Sequence, residues 1–179
     1  MVANHSSWLD ILALNAQRPM VFVAKAEVAG WRGIGLLARA TGTLFIRRES
    51  RGEVAEQARA FAERVSAGET LMFFPEGTST DGLRVLPFKS ALFSGLLAPE
   101  LPANLFVQPV TLSWKPPDGE DSRFYAWWGG MEFGPHALAV LAARRTGGVT
   151  IRFHPPVAVS GRDRKSLAAE TEATVRSAL

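Results

Sequence analysis

The 179-residue chain predicts a single α/β domain, residues 1–179, with a central, mostly parallel or mixed sheet flanked by helices. Three observations carry that expectation. Short apolar runs of strand length alternate with segments of helical periodicity from one end of the chain to the other. The run Leu71-Met72-Phe73-Phe74 is continuous rather than alternating, as a strand covered on both faces requires. With 47% apolar and 21% charged residues the chain can bury one sizeable core, yet it is short for two independent domains.

In chain order, Ser7 followed three positions later by Asp10 resembles a capping box and predicts a helix over Trp8 to Gln17, ahead of Pro19. Met20 to Ala24 reads as a short strand. Glu27 to Arg39 has a helical pattern loosened by Gly30, Gly33 and Gly35, and Gly42 leads into a strand at Thr43 to Ile46. Val54, Ala58, Phe61, Ala62 and Val65 recur at helical spacing, with Gly68 as a stop. Pro75 ends the Leu71 to Phe74 strand, a polar loop runs from Glu76 to Gly82, and Ala91 to Leu97 suits a short helix. Leu105 to Trp114 reads as a strand interrupted by Pro109, which cannot donate to a ladder and so suggests an edge, a bulge or a shaped pocket wall. Phe124 to Trp128, Val149 to His154 and Val157 to Val159 are further strand candidates, and Pro135 to Arg144 and Arg164 to Leu179 are helix candidates.

Composition narrows the chemistry. With no cysteine, disulfides, thiolate ligands and a cysteine nucleophile are excluded. A formal charge of +3 suits lipid phosphates, a nucleotide-bearing donor or an acidic carrier protein, and no motif for nucleic acid accompanies it. No apolar run approaches the roughly 18 to 20 residues of a spanning helix, and the first residues carry no signal-peptide pattern. Since a reactive segment opens the sequence, native residues upstream that include a membrane-anchoring segment are expected.

Four motifs carry the candidate chemistry. His5 and Asp10 are separated by four residues. On one helix, positions five apart differ by about 140° and do not face each other. His5 therefore belongs to the turn before the helix and Asp10 to its first turn, an arrangement in which the imidazole folds back onto the carboxylate. Histidine as a residue type is suited to act as a base near neutral pH. The plainer alternative is an acidic residue complementing a helix N-terminus beside a surface histidine. The second motif, Phe74-Pro75-Glu76-Gly77-Thr78-Ser79, is a strand running into a glycine-containing loop, able to offer backbone N–H groups and hydroxyls to an anion, with Glu76 orienting a neighbour or a substrate hydroxyl. The third, Gly42 to Arg48, ends a strand with Arg47 and Arg48, whose forks match phosphate oxygens. Lys25 and Lys89 likewise follow apolar stretches. The fourth is Val107-Gln108-Pro109-Val110. Each of the last three also has a plain reading as solvated turn, strand end or edge strand.

In order and spacing, these segments resemble the four blocks of the phospholipid and glycerol acyltransferase family, the bacterial 1-acylglycerol-3-phosphate acyltransferases in particular. The match covers about residues 3 to 112. The resemblance implies the glycerol-3-phosphate acyltransferase type of fold and an acyl transfer without a covalent enzyme intermediate. His5 would deprotonate the acceptor hydroxyl and Asp10 would orient His5. Arg48, with Arg47, and Glu76, Gly77, Thr78 and Ser79 would bind the acceptor, with Lys25 and Lys89 as further candidates. The implied partners are a lysolipid acceptor, acyl-CoA or acyl-carrier protein as co-substrate, and a membrane surface, at the cytoplasmic face of the inner membrane. No metal and no other cofactor is implied. Trp31, Ile34, Leu36 and Leu37, with Arg32 and Arg39, are candidates for an interfacial patch.

One departure bears on the acceptor. Where the family usually has arginine after Glu-Gly-Thr, this chain has Ser79. The stretch from Glu76 to Gly82, with Leu86-Pro87-Phe88-Lys89, is similar to lyso-ornithine lipid acyltransferases, so a zwitterionic acceptor stands as the alternative to 1-acylglycerol-3-phosphate. Two other classes compete: an acyl-thioester hydrolase, against which stands the absence of a Gly-x-Ser-x-Gly elbow, and a non-catalytic lipid-binding domain.

Overall fold

The computed structural model describes residues 1–31, 33–46 and 51–179, with side chains throughout except for 51–58. The elements are β1 (Val2–Ala3), α1 (Leu9–Gln17), β2 (Val21–Lys25), α2 (Ile34–Ala40), β3 (Leu44–Ile46), α3 (Arg51–Ser66), β4 (Leu71–Met72), β5 (Phe106–Val107), β6 (Pro109–Lys115), α4 (Phe133–Ala142), β7 (Gly148–Phe153), β8 (Val157–Ala158) and α5 (Arg164–Arg176). Two 3-10 segments, Ala26–Gly30 and Ser90–Leu97, complete the set.

Strands β3, β2 and β4 form one parallel sheet in that order, and β1, β6 and β7 form another, in which β1 and β6 are parallel and β7 is antiparallel. A parallel bridge between Val2 and Phe73, the residue after β4, joins the two into one surface running β3-β2-β4-β1-β6-β7. Residues one apart in these central strands serve opposite faces, as the pleat requires. Val2 and Phe73 enter a core shared with Phe93, Leu96, Leu167 and Val175, whereas Ala3 and Met72 enter one shared with Leu14, Met20 and Phe22. The sheet is thus covered on both sides, by α5 and the Ser90–Leu97 segment on one and by α1 on the other. This explains the unbroken apolar run at 71–74.

Three expectations are corrected. Pro109 does not lie on an edge. It is the first residue of β6, which runs between β1 and β7, and the first position of a strand tolerates a missing N–H. Phe124 to Trp128 forms turns instead of a strand. Its N–H groups go to Asp121, Arg123 and Ser6 carbonyls, and its aromatic rings pack on Trp114, Trp31 and Phe133 rather than along a ladder. The helical pattern from Glu27 to Arg39 is broken in two at Gly33, whose φ of +79° only glycine adopts readily and which faces the Phe133 ring. Within the interfacial patch suggested for this region, Ile34 is 5% exposed and points inward, while Trp31 and Leu36 are exposed at 51% and 70%. Arg39 is tied to the Ala29 carbonyl, and Arg32 lies outside the described residues.

Asn4 stitches the middle of the sheet where β1 ends. Its side chain, 2% exposed, donates from Nδ2 to the Leu112 carbonyl and accepts from the Leu112 N–H at 2.8 Å, standing in for a strand that has run out. Asn4→Ala strands two buried backbone groups and is expected to lower stability by about 2 to 4 kcal/mol, as measured by denaturant unfolding.

Candidate active site

Because β1, β2, β3 and β4 run in the same direction, their carboxyl ends open on one edge of the sheet, the side on which open α/β sheets hold ligands. Three of the candidate motifs converge there. His5 follows β1, Lys25 ends β2 in register with Ile46 of β3, and Phe74 to Ser79 follows β4. Arg47 and Arg48 come next in the chain after Ile46 and lie outside the described residues.

His5 sits in the turn before α1 and Asp10 in that helix's first turn. The ring Nδ1 lies 2.8 Å from Asp10 Oδ2. The same oxygen accepts the Ser6 N–H at 2.7 Å and the Ser7 N–H at 2.9 Å, and Oδ1 accepts the indole N–H of Trp114 at 2.7 Å. Asp10 is fully buried, which a carboxylate withstands only when donors replace its water. The capping box expected from Ser7 does not form: the N-cap residue is Trp8, which offers no side-chain cap, while the Asp10 carboxylate accepts the Ser7 N–H and the Ser7 hydroxyl accepts the Leu9 N–H. Since a carboxylate only accepts, the His5 proton sits on Nδ1 and the lone pair on Nε2.

The loop after β4 holds His5 from the other side. The Phe74 ring stacks on the imidazole, with centroids 4.0 Å apart and planes inclined by 14°. The His5 N–H donates to Glu76 Oε1 at 2.8 Å, and the His5 carbonyl accepts from the Thr80 N–H at 2.9 Å and from its hydroxyl at 3.2 Å. Glu76 uses its second oxygen to accept the Leu86 N–H at 2.7 Å. Expected as an acceptor-binding residue, Glu76 is 1% exposed with both oxygens engaged by backbone, so it braces the loop under His5 rather than facing a ligand. Gly77, at φ +71°, brings its backbone so near the Lys89 side chain that a Cβ there would lie 2.9 Å from Nζ. Gly77, Thr78, Ser79 and Lys89 therefore form one accessible, cation-bearing lip beyond Glu76, with Thr78 and Lys89 exposed.

Sequence reasoning did not find Phe74, Thr80 or Trp114 as partners of the pair. Phe74 and Thr80 at least lie in or next to a motif. Trp114 is 104 residues from Asp10 and gives no local signal. A further outlying contact fixes the turn, as the Trp8 indole N–H donates to Nδ1 of the buried His136 at 3.0 Å.

Burial pushes the Glu76 carboxyl above its ordinary value of 4.5, desolvation outweighing the two backbone donors. A carboxyl raised in this way binds its proton more tightly folded than unfolded. Its contribution to stability is full below 4.5 and is lost as pH rises through the elevated value. Glu76→Gln, which cannot ionise, is expected to flatten that segment of the pH–stability curve. It should also be less stable overall, since its amide nitrogen is set against a backbone N–H. Guanidinium unfolding of both proteins from pH 4.5 upward reads both effects.

A sequence model of the acyltransferase family matches residues 1–113, a span that holds all four motifs. Lyso-ornithine lipid O-acyltransferase of Rhodobacter capsulatus is 52% identical over 180 residues, covering 100% of this chain and 65% of that protein. The protein of the same name from Pseudomonas aeruginosa is 39% identical over 178 residues, covering 99% of this chain and 66% of its own. The 1-acyl-sn-glycerol-3-phosphate acyltransferase of Neisseria gonorrhoeae is 42% identical over 97 residues, covering 54% and 38%. Among solved structures, the 1-acyl-sn-glycerophosphate (LPA) acyltransferase PlsC from Thermotoga maritima matches with a TM-score of 0.59 and 25% identity, over 99% of this chain and 63% of that one. The chain thus spans about two thirds of the length of the relatives it matches from end to end. With the family model covering more than half of it, and the fold shared over nearly its whole length, the chain belongs to the acyltransferase family.

Proposed function

We propose that this domain transfers a fatty acyl group from a thioester, acyl-CoA or acyl-carrier protein, to the free hydroxyl of a lysolipid. The observation that carries this reading is the hydrogen bond between His5 Nδ1 and Asp10 Oδ2, which leaves Nε2 as a base at the open edge of a parallel sheet. Nε2 takes the hydroxyl proton as the acceptor oxygen attacks the thioester carbonyl. Asp10 steadies the imidazolium that results. The C–O bond forms, the C–S bond breaks, and the departing thiolate recovers the proton, so His5 returns to its starting state.

Lyso-ornithine lipid ranks ahead of 1-acylglycerol-3-phosphate as the acceptor. This reverses the order expected from the sequence, in which a zwitterionic acceptor stands as the alternative to 1-acylglycerol-3-phosphate. Likeness along the whole chain to two proteins named for lyso-ornithine lipid, together with Ser79 where an arginine would contact phosphate, supports the zwitterionic acceptor. Likeness to the Thermotoga enzyme supports the phosphorylated one. In either case the lip of Gly77, Thr78, Ser79 and Lys89, with Lys25 at the end of β2 and Arg47 and Arg48 after β3, offers positive charge and donors to the acceptor's anionic group. Both substrates carry long acyl chains, so the reaction belongs at a bilayer surface, on the cytoplasmic face of the inner membrane where thioester donors are found. Among the described residues no helix is long and apolar enough to cross a membrane. Exposed Trp31 and Leu36 suit contact with the interface.

The test is acyl transfer from a labelled donor to each lysolipid in parallel. Lyso-ornithine lipid is expected to be the better acceptor, and Ser79→Arg is expected to move the preference toward the phosphorylated one. Loss of the general base in His5→Ala should lower kcat/KM by roughly 10²- to 10⁴-fold with the fold intact by circular dichroism. Full transfer by that variant would rule out His5 as the base, and a folded wild-type chain that acylates neither lysolipid would return the domain to the lipid-binding class. Donor hydrolysis indifferent to any lysolipid would make it a thioester hydrolase.

A further inference from the structure

We propose that Trp114 is a positioning residue for the catalytic pair, acting through Asp10 by way of its indole N–H. This inference rests on the reading of His5 as the base.

The Asp10 carboxylate is unevenly supplied. Oδ2 accepts from His5 Nδ1 and from the Ser6 and Ser7 N–H groups, all within five residues of Asp10 and all moving with the turn. Oδ1 accepts from Trp114 at 2.7 Å, a donor on the far strand β6. The three local donors fix one oxygen but leave the carboxylate able to swing about it together with the turn. The indole bond ties the other oxygen to the sheet. Trp114 can bear that duty because it is itself held. Its ring lies 5.1 Å from the Tyr125 ring, tilted by 44°, and the Tyr125 hydroxyl accepts the Gly147 N–H at 2.8 Å, next to the start of β7. The strand β6 therefore grips the catalytic segment twice, through the Leu112 backbone at Asn4 and through the Trp114 side chain at Asp10.

Removing the indole N–H leaves a buried oxygen short of its donor. The carboxylate becomes more basic, since a hydrogen bond that favoured its charged form is gone. An imidazolium formed at His5 then sits against a carboxylate whose negative charge is shared with one donor fewer, and is held more strongly. Among the described residues, the ionisable groups facing Asp10 are His5, bonded to it, and Glu76, across the loop. Since Glu76 keeps both backbone donors, it does not compensate.

Trp114→Phe retains a ring against Tyr125 and removes the donor. With the whole chain as enzyme, it is expected to lower kcat by roughly 10- to 100-fold, as loss of a partner that orients a functional ligand does, with little change in KM for the lysolipid. The acid limb of its pH–rate profile should move to higher pH. Tyr125→Phe, which disturbs the support but spares the indole N–H, should lower thermal stability and leave the acid limb in place. In a double-mutant cycle with Asp10→Asn, the two substitutions should be far from additive. Trp114→His, which returns an N–H on a smaller ring, should recover part of kcat and is the second variant if the phenylalanine protein folds poorly. An unshifted acid limb in an active, folded Trp114→Phe protein, or additivity with Asp10→Asn, overturns the proposal and leaves the proposed function standing. A wild-type chain that acylates no lysolipid overturns both.

Discussion

A fully buried carboxylate has no water to lean on, so the protein must surround it with donors or let it take up a proton. Asp10 meets that condition with one imidazole, two backbone N–H groups and an indole, and much of the rest of the molecule follows from having to bring those four together. The backbone donors require the chain to turn sharply between β1 and α1. The indole requires β6 to lie beside β1, which in turn requires the chain to return to the sheet centre more than a hundred residues later. The imidazole, finally, must be kept over the edge of the sheet, and this is the task of the loop after β4.

That loop and the first turn form a reciprocal lock. Glu76 reaches His5 through its side chain, Thr80 reaches it through backbone and hydroxyl, and Phe74 lies flat against its ring. None of these contacts asks for a particular substrate. They fix His5 itself, while the lip beyond Glu76, with Thr78 and Lys89 exposed and Ser79 half-buried, is left open to the proposed acceptor. Separation of a braced histidine from an accessible lip would let a single fold serve related lipids, and relatives of this chain carry differing acceptor names.

Much of this was legible in the chain itself. The angular mismatch of two positions five apart placed His5 off the helix and Asp10 on it without any coordinates. The apolar run at 71–74 announced a strand covered on both faces. What stayed hidden depended on distance along the chain or on the direction of a side chain. A glutamate after a strand looks the same in sequence whether it meets solvent, substrate or backbone, and here its carboxylate turned inward. Pro109 looked like an edge because its missing N–H is a local fact, whereas its place between β1 and β7 is decided by the partners it meets. The aromatic-rich stretch at 124–128 had strand composition but spends its rings on Trp31, Trp114 and Phe133. Arg47 and Arg48 lie outside the described residues, so their expected part stands on the sequence.

The stack of Phe74 on His5 has a consequence for the order of proton movements. With the planes only 14° apart and Nδ1 tethered to a buried carboxylate, the stack and the hydrogen bond together hold the imidazole in one orientation. In the acyl transfer proposed above, a single nitrogen, Nε2, then both accepts the proton and gives it up, along the same direction. The incoming hydroxyl and the outgoing sulfur are then obliged to share one narrow sector of space in front of Nε2. The acceptor must already be seated when the thioester is cleaved, and a water molecule can compete only by occupying the place of the lipid oxygen.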